Sequence, residues 1–122
     1  MRRPSLELAV AINRLVRQED ERFDEPDEFD RLERALDAIG GIDDPIRAAA
    51  VVAYRVARAQ AFGEGNKRTG LLLAKWILDR NGEDGTALLP PDDREFGALL
   101  VRAASGLDVE ADMVELLRLR HG

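Results

Sequence analysis

Apolar residues recur at three- and four-residue intervals along most of the chain, the spacing that lines one face of an α-helix. Pro4 and Ser5 open the first such pattern, with Leu6, Ala9, Ile12, Leu15 and Val16 on one side, and it predicts a helix to about Gln18. A second begins near Asp27, carries Phe29, Leu32, Ala35, Leu36 and Ile39, and runs into Gly40 and Gly41, which suit a helix C-terminus. Asp44 followed by Pro45 is a strong start signal for a third helix, because the Asp caps free N–H groups and Pro has none to leave unpaired. At about 100° per residue, Ile46, Ala50, Ala53, Ala57 and Gln60 fall in one stripe of this helix, while Arg47, Arg55 and Arg58 lie opposite. Gln60 is therefore expected to point inward, and the many Ala predict a central helix closely packed by its neighbours. A fourth helix is expected from Asn66 as N-cap to Asn81-Gly82, with Leu73, Trp76, Ile77 and Arg80 in register. Residues 83–91 read as a loop or a lone extended piece, residues 93–105 as a helix stopped by Gly106, and the last helix starts with Asp108 as N-cap and runs to about Arg120. With no alternation of strands and helices, the expected class is all-α, a helical bundle of one domain over residues 1–122.

Composition narrows the chemistry more than the fold. Cys is absent and there is a single His, so a thiolate nucleophile, a disulfide and a His-rich or zinc-thiolate site are all excluded. Oxygen-ligated metals remain. The net charge of −6 argues against a nucleic-acid backbone as the main partner, since that binding rests on clustered Lys and Arg. No apolar run reaches the length of a bilayer span and the start lacks the continuous apolar segment of a signal peptide, so no membrane partner and a cytoplasmic location are expected. Residues 19–30 hold eight acids and one base around Pro26 and are expected to be partly loop on a solvated surface.

Candidate chemistry concentrates in "QAFGEGNKRTG", residues 60–70, between the third and fourth helices. A helix N-terminus leaves backbone N–H groups unpaired and carries roughly half a positive charge, so a Gly-containing turn leading into one is an anion cradle. Gly63 and Gly65 let the backbone approach a ligand closely, Asn66 can cap the helix or donate to a phosphate, and Lys67 and Arg68 add two full charges. Glu64 fits this set as a carboxylate holding a divalent metal that bridges phosphate oxygens, the usual arrangement for Mg²⁺. Phe62 reads as the anchor of the loop in the core. Neither a P-loop nor a Rossmann turn matches, since the spacing differs and the preceding segment is helical. Residue types alone leave open a plain helix-joining turn.

The order of these residues adds to their chemistry. "QAFGEGNKRTG" resembles the Fic/Doc (Fido) signature HxFx(D/E)GN(G/K)R, and its "NKRT" form looks most like the Doc branch, the phosphotransferase toxins of bacterial toxin–antitoxin modules. The resemblance extends from about Asp44 through "DRNG" and on to the C-terminal helix, whereas residues 1–43 show no motif of their own. It implies a Fic-fold helical bundle with ATP and Mg²⁺ in the loop. By position, Glu64 resembles the metal-holding acid, Gly63, Gly65, Asn66 and Thr69 belong to the phosphate-positioning turn, and Lys67 and Arg68 resemble the phosphate clamps, Arg68 with a catalytic part. Lys67 favours transfer of the γ-phosphate to a protein hydroxyl, with elongation factor Tu as the implied target, over the AMP transfer of GNGR members. Leu71, where those members carry a second Arg, points the same way.

Gln60 stands where the family has its catalytic His. An amide does not accept a proton near neutral pH, so this departure removes a general base worth roughly 10² to 10⁴ in rate. His121, at the extreme C-terminus, reads as an exposed bystander. The chain is then a disabled variant of a transferase, a non-catalytic nucleotide- or partner-binding module, or a slow transferase in which Gln60 orients the hydroxyl; Gln60 as a polar helix end bonded to neighbouring backbone stays open beside these. The family's target-docking flap would fall at residues 22–26. Its self-inhibitory motif (S/T)xxxE(G/N) is missing, which implies restraint by a separate antitoxin.

Overall fold

A computed structural model describes residues 1–17 and 27–122. The acidic stretch before Asp27, the expected flap at residues 22–26 and Gln18 as the expected end of the first helix lie outside the described residues. Seven helices are present among those described, α1 (Leu6–Val16), α2 (Phe29–Asp37), α3 (Pro45–Ala59), α4 (Asn66–Arg80), α5 (Gly85–Leu88), α6 (Arg94–Ala104) and α7 (Glu110–His121), and no strand is. The class is all-α.

The core is built around α3, which packs against α2, α4, α6 and α7, while α4 packs in addition against α1 and α5. Burial on α3 goes well beyond the expected stripe: Ile46, Ala48, Ala49, Ala50, Val51, Val52, Ala53, Tyr54, Val56 and Ala57 are all buried, and Arg47, Arg55 and Arg58 remain outside. Small side chains make this possible, since they let four helices approach one axis. α3 and α4 approach closely enough that a Cβ on Gly70 would lie 2.9 Å from the Ala53 carbonyl oxygen. α4 is held over the centre of the molecule by this contact, and with it the loop that precedes it.

Local signals placed most helix starts. Ser5 Oγ accepts from Leu8 N at 3.1 Å, Asp44 Oδ1 from Ile46 N at 3.0 Å and Asp93 Oδ1 from Phe96 N at 3.1 Å, each satisfying a donor that the first helical turn leaves free. Three expectations need correction. Residues 83–91 are not simply loop: Asp84 caps a single helical turn, α5, and Gly85 is packed so closely that a Cβ there would meet Asp79 Oδ1 at 2.6 Å. α7 begins after Val109 rather than Asp108, because Val109 is drawn into the core and the helix starts beyond it. Asn66 is not the N-cap of α4 but its first residue, and the cap position belongs to Gly65 in a left-handed conformation, φ 79°.

Candidate functional site

The loop between α3 and α4 starts where α3 stops. Gln60 takes φ 50°, a left-handed conformation uncommon for a residue with a side chain, and this turns the chain out of the helix after Ala59. The expectation that Gln60 continues the inward stripe is thereby corrected: it is exposed, at the mouth of the loop. Its amide is engaged at both ends. Nε2 donates to the Ala57 carbonyl at 2.6 Å, and Oε1 accepts from Asn66 Nδ2 at 3.4 Å.

Asn66 closes the loop on itself. Its Oδ1 accepts from Phe62 N at 3.1 Å and its Nδ2 donates to Phe62 O at 2.9 Å, so one buried side chain satisfies both backbone groups of the residue four positions earlier. Phe62 is buried, as the anchor reading requires, with the Arg17 guanidinium 5.7 Å from its ring centre and Arg17 paired to Asp27 at 2.8 Å. The floor of the loop is latched from α1, where buried Asn13 donates from Nδ2 to the Glu64 carbonyl at 2.8 Å and to Thr69 Oγ1 at 3.1 Å. Gly65 is required at this point. Besides its φ, a Cβ there would lie 3.0 Å from Val16 Cγ2 and 3.1 Å from Asn13 Nδ2.

Above this floor is a cavity of about 440 Å³ lined by Gln60, Gly63, Glu64, Gly65, Asn66, Lys67 and Arg68 from the loop and by Val101, Ala104 and Ser105 from the end of α6. Of the nine loop residues named from the sequence, seven line this cavity and Phe62 is buried. The ninth, Thr69, is fully buried with its hydroxyl engaged by Asn13, so its place is in the packing of α1 against α4 rather than at the cavity. Three contributors were missed. Asn13 and Arg17 carried no signal beyond being polar residues in or beside the first helix, and the α6 wall is separated from the loop by some three dozen residues of chain.

Positive charge gathers at the start of α4. The first turn of α4 contains no acid, and Lys67 and Arg68 stand exposed at its positive end. Neither makes an ion pair with a described residue; Arg68 NH1 reaches only the Val16 carbonyl, at 3.4 Å. Charges of this sign at a helix start are unfavourable without a negative partner, and a phosphate group supplies one. Among the described residues, Glu64 is the single carboxylate lining the cavity, and no group of three or more His, Cys, Asp or Glu could hold a metal by itself. One carboxylate still suits Mg²⁺, which commonly takes its other ligands from substrate phosphate and water. His121 lies elsewhere, against Glu83 at 3.1 Å.

Among models of known protein families, one described as the Fic/DOC family matches residues 7–78. This chain belongs to the Fic/DOC family. The match covers more than half of the 122 residues and departs from the extent that the motif suggested, for it takes in α1 and α2 and ends near the close of α4. Inclusion of α1 has a structural reason, since Asn13 and Arg17 hold the Fic/DOC loop from beneath. Comparison with curated proteins and with solved structures gave no match. No described helix is long and apolar enough to cross a membrane.

Proposed function

We propose that the loop binds ATP with Mg²⁺ and that its chemistry is transfer of the γ-phosphate to a protein hydroxyl, slowed by Gln60. The observation that carries this reading is the acid-free start of α4, where Lys67 and Arg68 face a cavity without an ion-pair partner among the described residues. In this reading Lys67 and Arg68 grip the phosphate oxygens, Arg68 holds the charge that builds on the transferring group, and Gly63 and Gly65 keep the backbone low enough for main-chain N–H groups to take part. Glu64 holds the metal, which when bound neutralises phosphate charge.

Gln60 sits where the acceptor hydroxyl would arrive. Phosphoryl transfer leans on positioning and charge stabilisation more than on covalent help, so a residue that orients the hydroxyl without taking its proton leaves a slow reaction. Resemblance to the Doc branch supports a toxin-type enzyme acting on elongation factor Tu and restrained by a separate antitoxin, and Leu71 supports phosphate over AMP as the group moved. One observation favours a second reading, a non-catalytic binding module: both ends of the Gln60 amide are already hydrogen-bonded within the protein.

Labelled ATP separates the readings. Incubation of the chain and of its Gln60→His variant with elongation factor Tu and ATP labelled at the γ- or α-position should give γ-label on the target, faint with Gln60 and strong with His. Label from the α-position instead would assign AMP transfer. Nucleotide binding without transfer by either protein would establish the binding module.

A further inference from the structure

A second cationic cavity adjoins the C-terminal end of α3. It encloses about 300 Å³ between α2 and α3 and is lined by Arg31, Arg34, Ala35, Arg55, Arg58 and Ala59. Four guanidinium groups in one small space are unexpected in a chain of net charge −6. They come as two like-charged pairs at i, i+3, one on each helix, facing each other across the seam. Each such pair is mildly destabilising on an isolated helix, by a few tenths of a kcal/mol.

The charge is only partly compensated among the described residues. Arg31 pairs with Glu28 at 2.5 Å and Arg55 with Glu110 at 2.9 Å. Arg34 donates to the Asp30 backbone carbonyl at 3.3 Å, and Arg58 donates to the neutral Tyr54 hydroxyl. Two carboxylates thus face four guanidinium groups. The heads on α3 are also held in place: buried Tyr54 has the Arg55 and the Arg58 guanidinium each 5.8 Å from its ring centre. Ordered cations with an excess of positive charge form a receptor for anions at low entropic cost.

Position identifies the anion. Ala59 lines this cavity and Gln60, the next residue, lines the nucleotide cavity. Arg58 is two residues from Gln60, and an extended peptide advances about 3.3–3.6 Å per residue, so a substrate whose hydroxyl lies at Gln60 would bring residues a few positions away over the arginines. We infer that the Arg31, Arg34, Arg55 and Arg58 cluster docks an acidic segment of the protein substrate beside the hydroxyl that Gln60 receives. This rests on the transfer reading of the loop and adds the substrate's chemical class: a Ser or Thr flanked by Asp or Glu. A carboxylate-bearing segment is favoured over nucleic acid because the chain's overall negative charge opposes a long uniform polyanion.

Fluorescence anisotropy tests the assignment without transfer. Two short labelled peptides share one Thr, flanked by Asp and Glu in the first and by Asn and Gln in the second. The acidic peptide should bind about tenfold or more tighter, lose that advantage as salt rises, and lose it in Arg34→Gln/Arg58→Gln. Both side chains are exposed, and Arg34→Gln alone, which leaves the Tyr54 contact intact, should give an intermediate loss. Equal binding of the two peptides, or an undiminished preference in the double variant, overturns the assignment while leaving ATP binding and transfer standing. Tighter capture of an oligonucleotide than of the acidic peptide also overturns it. Selective peptide binding by a protein that binds no ATP would support the docking surface and sink the transfer reading, so the two failures are distinguishable.

Discussion

Two corners of this molecule treat their basic side chains in opposite ways. Where α5, α6 and α7 meet, Arg120 forms a fork with Asp93, donating through NH2 to Oδ1 at 2.8 Å and through NH1 to Oδ2, and NH1 also donates to the Leu88 carbonyl at 2.9 Å. Asp93 caps α6 at the same time. The two charges of this pair match each other, and the Arg120 hydrogen bonds hold the Asp93 carboxyl below its usual range, opposed by burial and helped by the Phe96 N–H. At the start of α4, Lys67 and Arg68 have no such match among the described residues, and the first turn lacks the acids that a helix N-terminus favours. The first corner holds a matched pair; at the second, two basic side chains stand without a carboxylate partner among the described residues.

The comparison sharpens most at Gln60. Gln60→His should raise γ-phosphate transfer by roughly 10² to 10⁴, measured as initial rate of target labelling, with little change in melting temperature because the residue is exposed. A change in stability without a gain in rate would make Gln60 a helix-end residue only. Lys67→Glu with Arg68→Glu should weaken ATP–Mg²⁺ binding about 100-fold by calorimetry while leaving the fold as stable or more so, since acids are preferred at that end. If stability fell instead, the two corners would be alike.

Asp93→Ala is the mirror experiment. It removes an N-cap and leaves a partly buried guanidinium without its partner, so a loss of about 2–3 kcal/mol in urea unfolding is expected, with nucleotide affinity unchanged. The smallest effect is in pH. Because the folded Asp93 pKa lies below its unfolded value, the stability it contributes is fully present above about pH 4–5 and is lost as pH falls through the folded pKa. Wild type should therefore lose stability on acidification below that point faster than Asp93→Asn. Parallel curves would show that the pair contributes nothing through ionisation.

The fold was readable largely because its determinants are local. Asp44-Pro45 and Asp93 cap helices through groups two or three residues away, and Gly106, at φ 90°, ends a helix by its own conformation. The charged loop was readable for the same reason, since Gly63, Glu64, Gly65, Asn66, Lys67 and Arg68 are contiguous. Thr69 was misplaced because a hydroxyl next to a phosphate motif looks like a ligand until Asn13, far away in sequence, is seen to engage it. Gln60 was misplaced because periodicity assumes that the helix continues, and a left-handed residue at its end breaks that assumption.

By itself the sequence determined that the chain is helical, where most helices start, and that a glycine-containing turn with two basic residues leads into the fourth. Only the tertiary structure decided that Asn13 and Arg17 hold that turn from below, that the end of α6 walls it, and that arginines of α2 and α3 gather beside it. Capping and helical spacing act over a few residues and leave a trace in the order of the letters, whereas these assemblies depend on how closely α3 and α4 approach at Ala53 and Gly70, which is settled only when the whole core packs.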